Sequence, residues 1–401
     1  MRRATHTARA LAAAASAWLS AAAPADPPPI VDAVLSDLSR VTGELIDYDR
    51  SGVTLAGRDG EVVTIEAGDL LALIAEPPAS AGSPARTMSS VLARPGLVTL
   101  VDGQRLSGSP SIFDRDDGSL VWDHTVLGTV ELPLDRIDRV RIPRSIIGPA
   151  QPAALPPAAT DDVLLLTNGD RLEGFLTRAG SSIGFEVGGN AVEIDLNSVD
   201  QYAVANPPEP MTGTVAWLTD GSIIAVPGLT VRGGLASFDR RRAASSEANV
   251  TEPQPSEDRV LLDEDSLAGL VVDAGRLRPL GSLSGSEAVF RPDARAEPLG
   301  SAVRLDGPGL RSYRLPEGAE WFAAEAVLPL RSRVWGEATL RVLADGTELA
   351  AIELGPESWS VPIRVPVRGA QELTIVLEPG RYGDVQVTAE LHDAVVAVDA
   401  R

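Results

Sequence analysis

A tight turn between two apolar runs recurs four times in the first two thirds of the chain. The clearest copy is residues 166–176, L-T-N-G-D-R-L-E-G-F-L, which contains Asn168-Gly169. Asn-Gly predicts a two-residue hairpin, because both central residues of a type I′ turn need φ > 0. The same frame occurs at residues 35–45, 100–110 and 218–228, with turn positions Asp37, Asp102 and Asp220. An internal repeat of this kind constrains the fold more than any single motif does.

A second shared segment closes the units. Residues 129–137, 191–199 and 259–267 each read as a strand, a polar turn and a short final strand. Each unit then has about five short strands in about 45 residues, and only a tightly curled small barrel buries a core from so little chain. The predicted units are 26–75 (unit 1), 97–142 (unit 2), 161–206 (unit 3) and 211–272 (unit 4). Linkers are predicted at 76–96 and 143–160, and a mobile insertion in unit 4 at 240–258.

This pattern resembles the small SH3-like and Sm-like barrels, in which a D/N-G turn precedes an apolar-x-G strand. Sm proteins bind RNA through basic and aromatic residues. This chain has a formal net charge of −21, and such an acidic surface repels a phosphate backbone. The resemblance therefore implies the fold of the units, and no nucleic-acid partner is expected.

The C-terminal third has longer, alternating strands. They are predicted at residues 321–327, 338–343, 349–354, 363–367, 372–377 and 385–391, and Asp345-Gly346 is a hairpin turn. All-β patterning at this spacing indicates a sandwich or jelly roll. The predicted fold class is therefore all-β: tandem small β-barrel repeats followed by a C-terminal β-sandwich at 275–401.

Particular motifs of this region resemble those of the NPCBM family of carbohydrate-binding modules. They are Gly307-Pro308-Gly309-Leu310-Arg311-Ser312 with Tyr313, residues 321–326, 338–346 and 365–373, Gly383-Asp384, and His392-Asp393-Ala394. The resemblance implies a jelly roll related to galactose-binding domains. It also implies a polysaccharide as the partner.

Composition excludes several kinds of chemistry. The chain has no Cys, which excludes disulfides, thiolate metal sites and a cysteine nucleophile. All 35 basic residues are Arg, so a Schiff-base lysine and a phosphate-loop lysine are excluded as well. Only His124 and His392 follow residue 25, which makes a multi-histidine metal centre improbable.

No catalytic group, metal or cofactor is predicted. His124 follows Asp123, but the sequence offers no Ser in a G-x-S-x-G turn, and a hairpin-loop residue is the preferred interpretation. Residues 114–118 have oxygen-bearing side chains at alternate positions, as calcium loops do. They lack the full spacing and the closing Glu of such a loop, so the preferred interpretation is a polar turn. With 56 acidic residues, no hydrolytic carboxylate pair stands out.

The few aromatic residues give the best candidates for a binding site. Trp321 and Phe322 lie in an alternating strand and are predicted core residues, whereas Trp335 and Tyr382 lie in loop-like segments. An aromatic face with a flanking Arg and Asp can stack on a sugar ring and bond its hydroxyls. The predicted carbohydrate-binding residues are Trp335, Arg381, Tyr382 and Asp384. The alternative is that each ring caps the core from the rim.

The N-terminus predicts export. Arg2, Arg3 and Arg9 precede or flank a largely apolar run at 10–19, and Ala23-Pro24-Ala25 fits a signal-peptidase site before Asp26. The run is too short to cross a bilayer, although a permanent anchor is the rival interpretation. No later stretch predicts a membrane span. The expected mature protein starts at Asp26 and is periplasmic or extracellular.

Together these features predict an exported, non-enzymatic protein. Its barrel units would act as spacer or assembly modules, and its jelly roll would bind carbohydrate or another envelope component. The alternative is a structural or assembly protein of the envelope that binds no sugar. A glycosidase is least favoured, since the repeats and the sandwich leave no segment for a catalytic domain.

Overall fold

The computed structural model describes residues 30–75, 93–111, 119–145, 158, 160–232, 235–239, 259–263, 266–283, 299, 302–334, 336–381, 383 and 387–399. Within these residues the regular structure is β-strand with five short 3-10 helices, which confirms the predicted all-β class. None of them forms a helix with the length and hydrophobicity that a membrane crossing requires. The signal peptide (1–25), the polar turn at 114–118 and the insertion at 240–258 lie outside the described residues.

Unit 1 is a single curled antiparallel sheet. Its strands are β1 (Ile30–Leu35), β2 (Arg40–Asp49), β3 (Gly52–Ala56), β4 (Val62–Glu66) and β5 (Leu70–Ala75). Strand β1 pairs β2 on one side and β5 on the other, so the strand order is β4-β3-β2-β1-β5. A closed barrel would require β4 to pair with β5. Among the described residues no such pairing is present, so the sheet of unit 1 is open between these two strands.

Units 2 and 3 repeat this strand order. After the two-residue strand β6 (Ala93–Arg94), unit 2 has β7 (Gly96–Leu100), β8 (Arg105–Pro110), β9 (Leu120–His124), β10 (Gly128–Leu132) and β11 (Ile137–Arg141). After β12 (Arg144–Ser145), which pairs β6, unit 3 has β13 (Asp162–Leu166), β14 (Arg171–Ala179), β15 (Ser182–Val187), β16 (Asn190–Asp195) and β17 (Val199–Ala203). In each unit the first strand pairs both the second strand and the fifth. A 3-10 turn, Leu134–Arg136 or Leu196–Ser198, leads into the fifth strand.

A glycine in the second strand allows each of these sheets to curl. It lies six residues after the turn position. A Cβ added there would lie 2.9 Å (Gly43), 2.2 Å (Gly108) or 2.0 Å (Gly174) from a carbonyl oxygen of the third strand, belonging to Ala56, Asp123 and Glu186 respectively. The backbones approach too closely for any side chain, so the apolar-x-G part of the repeat has a steric cause.

Unit 4 lacks this glycine. Its strands are β18 (Val215–Leu218), β19 (Ile223–Ala225), β20 (Thr230–Arg232), β21 (Leu235–Asp239), β22 (Arg259–Asp263) and β23 (Leu267–Val271). The buried Val226 occupies the glycine position, and there the second strand is interrupted between β19 and β20. The pairing is otherwise the same, with β18 between β19 and β23.

The units join through their fifth strands. In unit 4 the fifth strand is β23, because β19 and β20 together form the interrupted second strand. Strand β5 of unit 1 pairs β23 of unit 4, and β11 of unit 2 pairs β17 of unit 3. Shorter pairings join β2 to β20 and β8 to β19. The outer edge of each fifth strand is therefore occupied by another unit, which is why the fourth strand does not close onto it. All four units share one hydrophobic core.

The C-terminal region forms a two-sheet sandwich, as predicted. Its strands are β24 (Leu277–Pro279), β25 (Val303–Asp306), β26 (Gly309–Arg314), β27 (Ala319–Val327), β28 (Ala338–Ala344), β29 (Thr347–Leu354), β30 (Ser360–Pro366), β31 (Glu372–Pro379) and β32 (Thr388–Val398). One sheet has the order β24-β32-β27-β30, with β25 also on β32, and the other has the order β26-β31-β28-β29. The 3-10 helices Ala274–Arg276, Leu280–Ser282 and Leu330–Ser332 flank these strands. Residues such as Tyr313 and Phe322 fill the core between the sheets.

An apolar cluster holds the sandwich against units 1 and 4. It includes Leu71 of unit 1, Val271 of unit 4 and Val395 of the sandwich, with Trp321 packed at its edge. Phe322 is fully buried in the sandwich core as predicted, whereas Trp321 is only partly buried and lies at this junction. The Arg364 guanidinium covers the Trp321 ring at 4.6 Å.

We expect Gly174→Ala to destabilise unit 3 by about 3 kcal/mol, because the new methyl group forces β14 away from β15. Gly169→Ala is the matched control: Gly169 has φ +93° and no atom within 4 Å of an added Cβ, so only the backbone strain of about 1–2 kcal/mol remains. Hydrogen exchange of peptides from β14 and β15 measures both. Equal losses for the two variants would contradict a steric role for Gly174.

Candidate functional site

The loops at one end of the sandwich form the candidate site. The pairs Gly309–Leu377, Ala338–Pro379 and Val327–Ser360 place the ends of β26, β31, β28, β27 and β30 together. The described residues 328–334, 336–337, 355–359 and 380–381 adjoin these strand ends. We call this the loop end.

One predicted sugar-binding residue, Arg381, is described at the loop end. It is exposed and forms an ion pair with Glu337, with 3.2 Å between Arg381 Nη2 and Glu337 Oε1. Its backbone N–H donates to Glu337 Oε2 at 3.3 Å, and the Glu337 carbonyl accepts from Gly380 N–H at 3.0 Å. Arg381 is therefore tethered to the start of β28. The other predicted residues, Trp335, Tyr382 and Asp384, lie outside the described residues.

Trp359, a residue that no sequence motif singled out, is 42% exposed at the same end. The Arg333 guanidinium lies 3.7 Å from its ring centroid, and Arg333 Nε donates to the Leu328 carbonyl at 3.1 Å. The Trp359 carbonyl in turn accepts from Leu328 N–H at 2.8 Å. These contacts fix the indole and cover one of its faces with a cation. Its position after Gly355-Pro356, directly before a strand, is the signal that could have identified it.

Two exposed aliphatic residues lie in the same segment as Arg333. Leu330 and Val334, which flank Arg333, are 79% and 63% exposed. We call Leu330, Arg333, Val334 and Trp359 the Trp359 patch. Large apolar residues clustered on a surface indicate a binding site more strongly than scattered ones do.

The loop end also collects arginines. Arg331 and Arg333 lie in the 328–337 segment and Arg381 in the 380–387 segment, whereas the whole chain has a formal charge of −21. The carboxylate of Glu337 is paired with Arg381. Glu357 lies in the 355–359 segment, so the loop end carries charges of both signs.

An Asp-His-Ser arrangement, of which the His and the Ser are buried, lies elsewhere, between units 2 and 4. His124 Nε2 is 2.8 Å from Ser222 Oγ and 3.6 Å from Asp220 Oδ2. His124 Nδ1 accepts from the backbone N–H groups of Val126 and Leu127, both at 3.0 Å. The neutral ring must therefore carry its proton on Nε2 and donate it to Ser222 Oγ.

This direction is opposite to that of a hydrolytic triad, in which the histidine accepts the serine proton. Ser222 is completely buried, and its Oγ also accepts from Ser107 N–H at 3.0 Å. The arrangement is a hydrogen-bonded junction between two units. His124 is the last residue of β9, directly before the predicted hairpin loop. Among the described residues, no group of three His, Asp or Glu side chains could hold a metal ion.

The junction predicts loss of stability in mild acid. Burial lowers the pKa of His124 below 6.5, and the nearby Asp220 offsets this only in part. The unfolded chain therefore binds a proton at higher pH than the folded chain, and stability falls as pH drops below about 6.5. In His124→Asn, the Asn Oδ1 can still accept from the two N–H groups, and this pH dependence should disappear.

Denaturation midpoints between about pH 5 and 7 check this, because most carboxylates titrate below that range. His392→Asn is the control, since His392 is partly exposed and lies in the sandwich. An unchanged slope in His124→Asn would show that other groups cause the acid sensitivity.

Comparison with protein families gives no match, and no curated protein matches. Among solved structures, the chain is similar to CBM51 from Clostridium perfringens GH95 in complex with methyl-galactose: 14% identity over 24% of this chain and 70% of the other, TM-score 0.23. CBM51-2 with the INT domains of Clostridium perfringens ZmpB is 13% identical over 46% of this chain and 43% of the other, TM-score 0.26. The tandem CBM51 modules of Sp3GH98 from Streptococcus pneumoniae are 9% identical over 88% and 93%, TM-score 0.24. Such scores are too low to support an argument about fold or function.

Proposed function

We propose that this chain is an exported, non-enzymatic protein whose sandwich binds carbohydrate at its loop end. The observation that carries the proposal is the exposed Trp359 ring, which is held in place by Arg333 at 3.7 Å. A pre-positioned aromatic ring loses little conformational entropy when a sugar stacks on it. The NPCBM-like motifs of the same region support the same ligand class.

Polar groups at the same end of the sandwich would select the sugar. The Arg381–Glu337 pair offers guanidinium donors and carboxylate acceptors, the groups that bond the hydroxyls of a pyranose ring. Trp335, Tyr382 and Asp384 lie outside the described residues, and their contributions stay predictions from the sequence. In this proposal Trp359 provides the stacking surface, and the charged pair fixes the orientation of the sugar.

The four units would hold the sandwich with its loop end free. Arg364 binds Asp37 of unit 1 through its Nε, which donates to the Asp37 carbonyl at 2.7 Å, and through its Nη2, which contacts the Asp37 carboxylate. Arg40 of unit 1 contacts Asp393 at 2.8 Å. Arg364 lies four residues along β30 from Ser360, which is about 13 Å from the loop end. The junction therefore leaves the Trp359 patch uncovered by these contacts.

The rival function is a structural protein of the cell envelope that binds no sugar. A glycan array probed with the chain from Asp26 onward separates the two, with titration calorimetry of each glycan that scores. Export is tested separately by N-terminal sequencing of the secreted protein, which should begin at Asp26. An array without any signal from a folded sample would favour the structural role.

Trp359→Ala should weaken glycan binding by up to about tenfold, because an aromatic stacking contact is worth about 0.5–1.5 kcal/mol. Phe175→Ala is the matched control, since Phe175 is 58% exposed on unit 3, far from the sandwich in sequence. Both variants should melt close to the unaltered protein. Equal affinities for the two variants would place the sugar elsewhere on the surface.

A further inference from the structure

We propose that a second copy of this chain binds unit 3 edge to edge, so that the protein is a two-fold symmetric dimer. The surface involved is the outer edge of the second strand directly after the turn, at the positions two to five residues beyond the turn residue. We call it the hairpin edge of a unit. In unit 3 the hairpin edge is residues 170–173. Such a dimer does not depend on sugar binding by the sandwich.

The hairpin edges of units 2 and 4 contact each other through equivalent positions. Strands β8 and β19 pair antiparallel at Arg105 and Ile223, and each of these residues lies three positions after the turn residue of its unit. Two hydrogen bonds flank this pair. In each of them the N–H of the fifth residue after one turn donates to the side chain of the second residue after the other turn: Ser107 to Ser222 Oγ at 3.0 Å, and Ala225 to Gln104 Oε1 at 2.7 Å. The contact therefore has an approximate two-fold axis between Arg105 and Ile223.

The other strand pairings between units show the same symmetry. Each of them joins a position to its equivalent in the other unit. The pairs are Leu73 with Leu270 and Val140 with Tyr202, all fourth in their fifth strands, and Tyr48 with Val231, both eleven residues after the turn. These units therefore recognise one another through like edges related by two-fold axes. A hairpin edge without a partner is suited to the same edge of a second copy.

The hairpin edge of unit 3 contacts no other unit and no part of the sandwich within the described residues. In unit 1 the sandwich contacts this region, with 2.8 Å between Arg40 Nη2 and Asp393 Oδ2. In unit 3, residues 170, 171 and 173 are exposed, and Arg171 Nη2 lies 2.9 Å from Glu173 Oε1 of the same strand. Residues 171–174 pair with β13, whereas pairing with β15 begins at Phe175. The outer side of residues 171–173 is thus open to another strand.

The backbone of this edge is oriented for pairing. Leu166 N–H donates to the Asp170 carbonyl at 2.8 Å, and units 2 and 4 have the equivalent bond at 2.9 Å. Successive residues of a strand direct their N–H and C=O groups to opposite sides. The backbone groups of Arg171 and Glu173 therefore point away from β13, as those of the paired positions in units 2 and 4 do.

The core of unit 3 is also less covered near this edge. Leu166 and Leu172 pack against the shared core but remain partly exposed. Their equivalents in unit 4, Leu218 and Ile224, are 2% and 1% exposed. A partner edge on unit 3 would reduce this difference, and the burial of apolar surface favours association.

The charged groups of the edge are compatible with a second copy. In the register of the contact between units 2 and 4, Arg171 pairs with Arg171 of the second copy. Each arginine then lies diagonally opposite Glu173 of the other copy, within reach of its carboxylate. The Asp170 carboxylate occupies the position of Gln104 and Ser222, so it can accept the Glu173 N–H across the axis. Acidic and basic side chains thus alternate around the axis.

A cysteine introduced at the axis tests the contact directly, because the chain has no Cys of its own. Directly paired residues have Cα atoms about 4.5–5.5 Å apart, a separation that a disulfide bridges. Arg171→Cys in the chain from Asp26 onward should therefore form a disulfide-linked dimer under mild oxidation. Thr177→Cys is the matched control. It is also exposed on β14, but it lies six residues from the axis, which places its two copies about 40 Å apart.

Sedimentation equilibrium measures the association itself. We expect the unaltered chain from Asp26 onward to have twice the monomer mass, and to associate less at low salt because two acidic chains repel each other. Arg171→Glu should weaken association by about tenfold or more, since like charges then face each other across the axis. Arg178→Glu makes the same change of charge on the same strand, outside the hairpin edge, and should associate as the unaltered chain does. Thermal melting shows that each variant is folded.

A chain that stays monomeric at about 100 μM and physiological salt, where even a weak dimer forms, would overturn the proposal. Equal weakening by Arg171→Glu and Arg178→Glu would overturn it as well. If Arg171→Glu does not fold, the cysteine variants decide: equal cross-linking of Arg171→Cys and Thr177→Cys would place the contact elsewhere. Glycan binding is measured separately, so each of these results leaves the proposed function intact.

Discussion

The double pairing of each fifth strand is the interaction on which the rest of the structure depends. Strand β5 is bonded to β1 within unit 1 and to β23 of unit 4, and β11 is bonded in the same way to β7 and β17. An open five-stranded sheet of about 45 residues has little core of its own. Sharing the fifth strands merges four such cores into one and leaves no fifth-strand edge exposed in either pair. The sandwich then rests on the joined units 1 and 4 and not on a single small sheet.

The turn residue of the repeat serves two purposes. In all four units its side-chain oxygen accepts the N–H two residues ahead, which sets the turn. In three units its second oxygen reaches another group: Asp37 binds Arg364 of the sandwich, Asp102 binds Arg136, and Asp220 binds Thr125 of unit 2. In unit 3 the amide of Asn168 only bonds Asp170. The turn residue is Asp in the three units where its second oxygen makes a contact beyond the turn. It is Asn in unit 3, where its amide bonds only within the turn.

Local features of the fold could be predicted from the sequence, whereas long-range ones could not. The turn at Asn168-Gly169, the strands around it and the sandwich alternation follow from φ requirements and period-two burial. The partner of β5 is set by complementary edges almost two hundred residues apart, which no local pattern encodes. At the site, Arg381 was identified from the sequence, whereas Trp359 was not, because its exposure and its contact with Arg333 depend on how the 328–334 segment packs against it.

The order in which the units pair has a consequence for how the chain folds. Unit 1 is synthesised first, yet Ile74 bonds Gly269, in the last strand of unit 4. Units 2 and 3 are neighbours in the chain and can associate as soon as both have emerged. Until unit 4 has been synthesised, the outer edge of β5 in unit 1 has no partner strand, and unpaired strand edges promote aggregation. A chain truncated before residue 267 would therefore leave the edge of β5 unpaired. Assembly of the whole protein depends on the synthesis of its fourth unit.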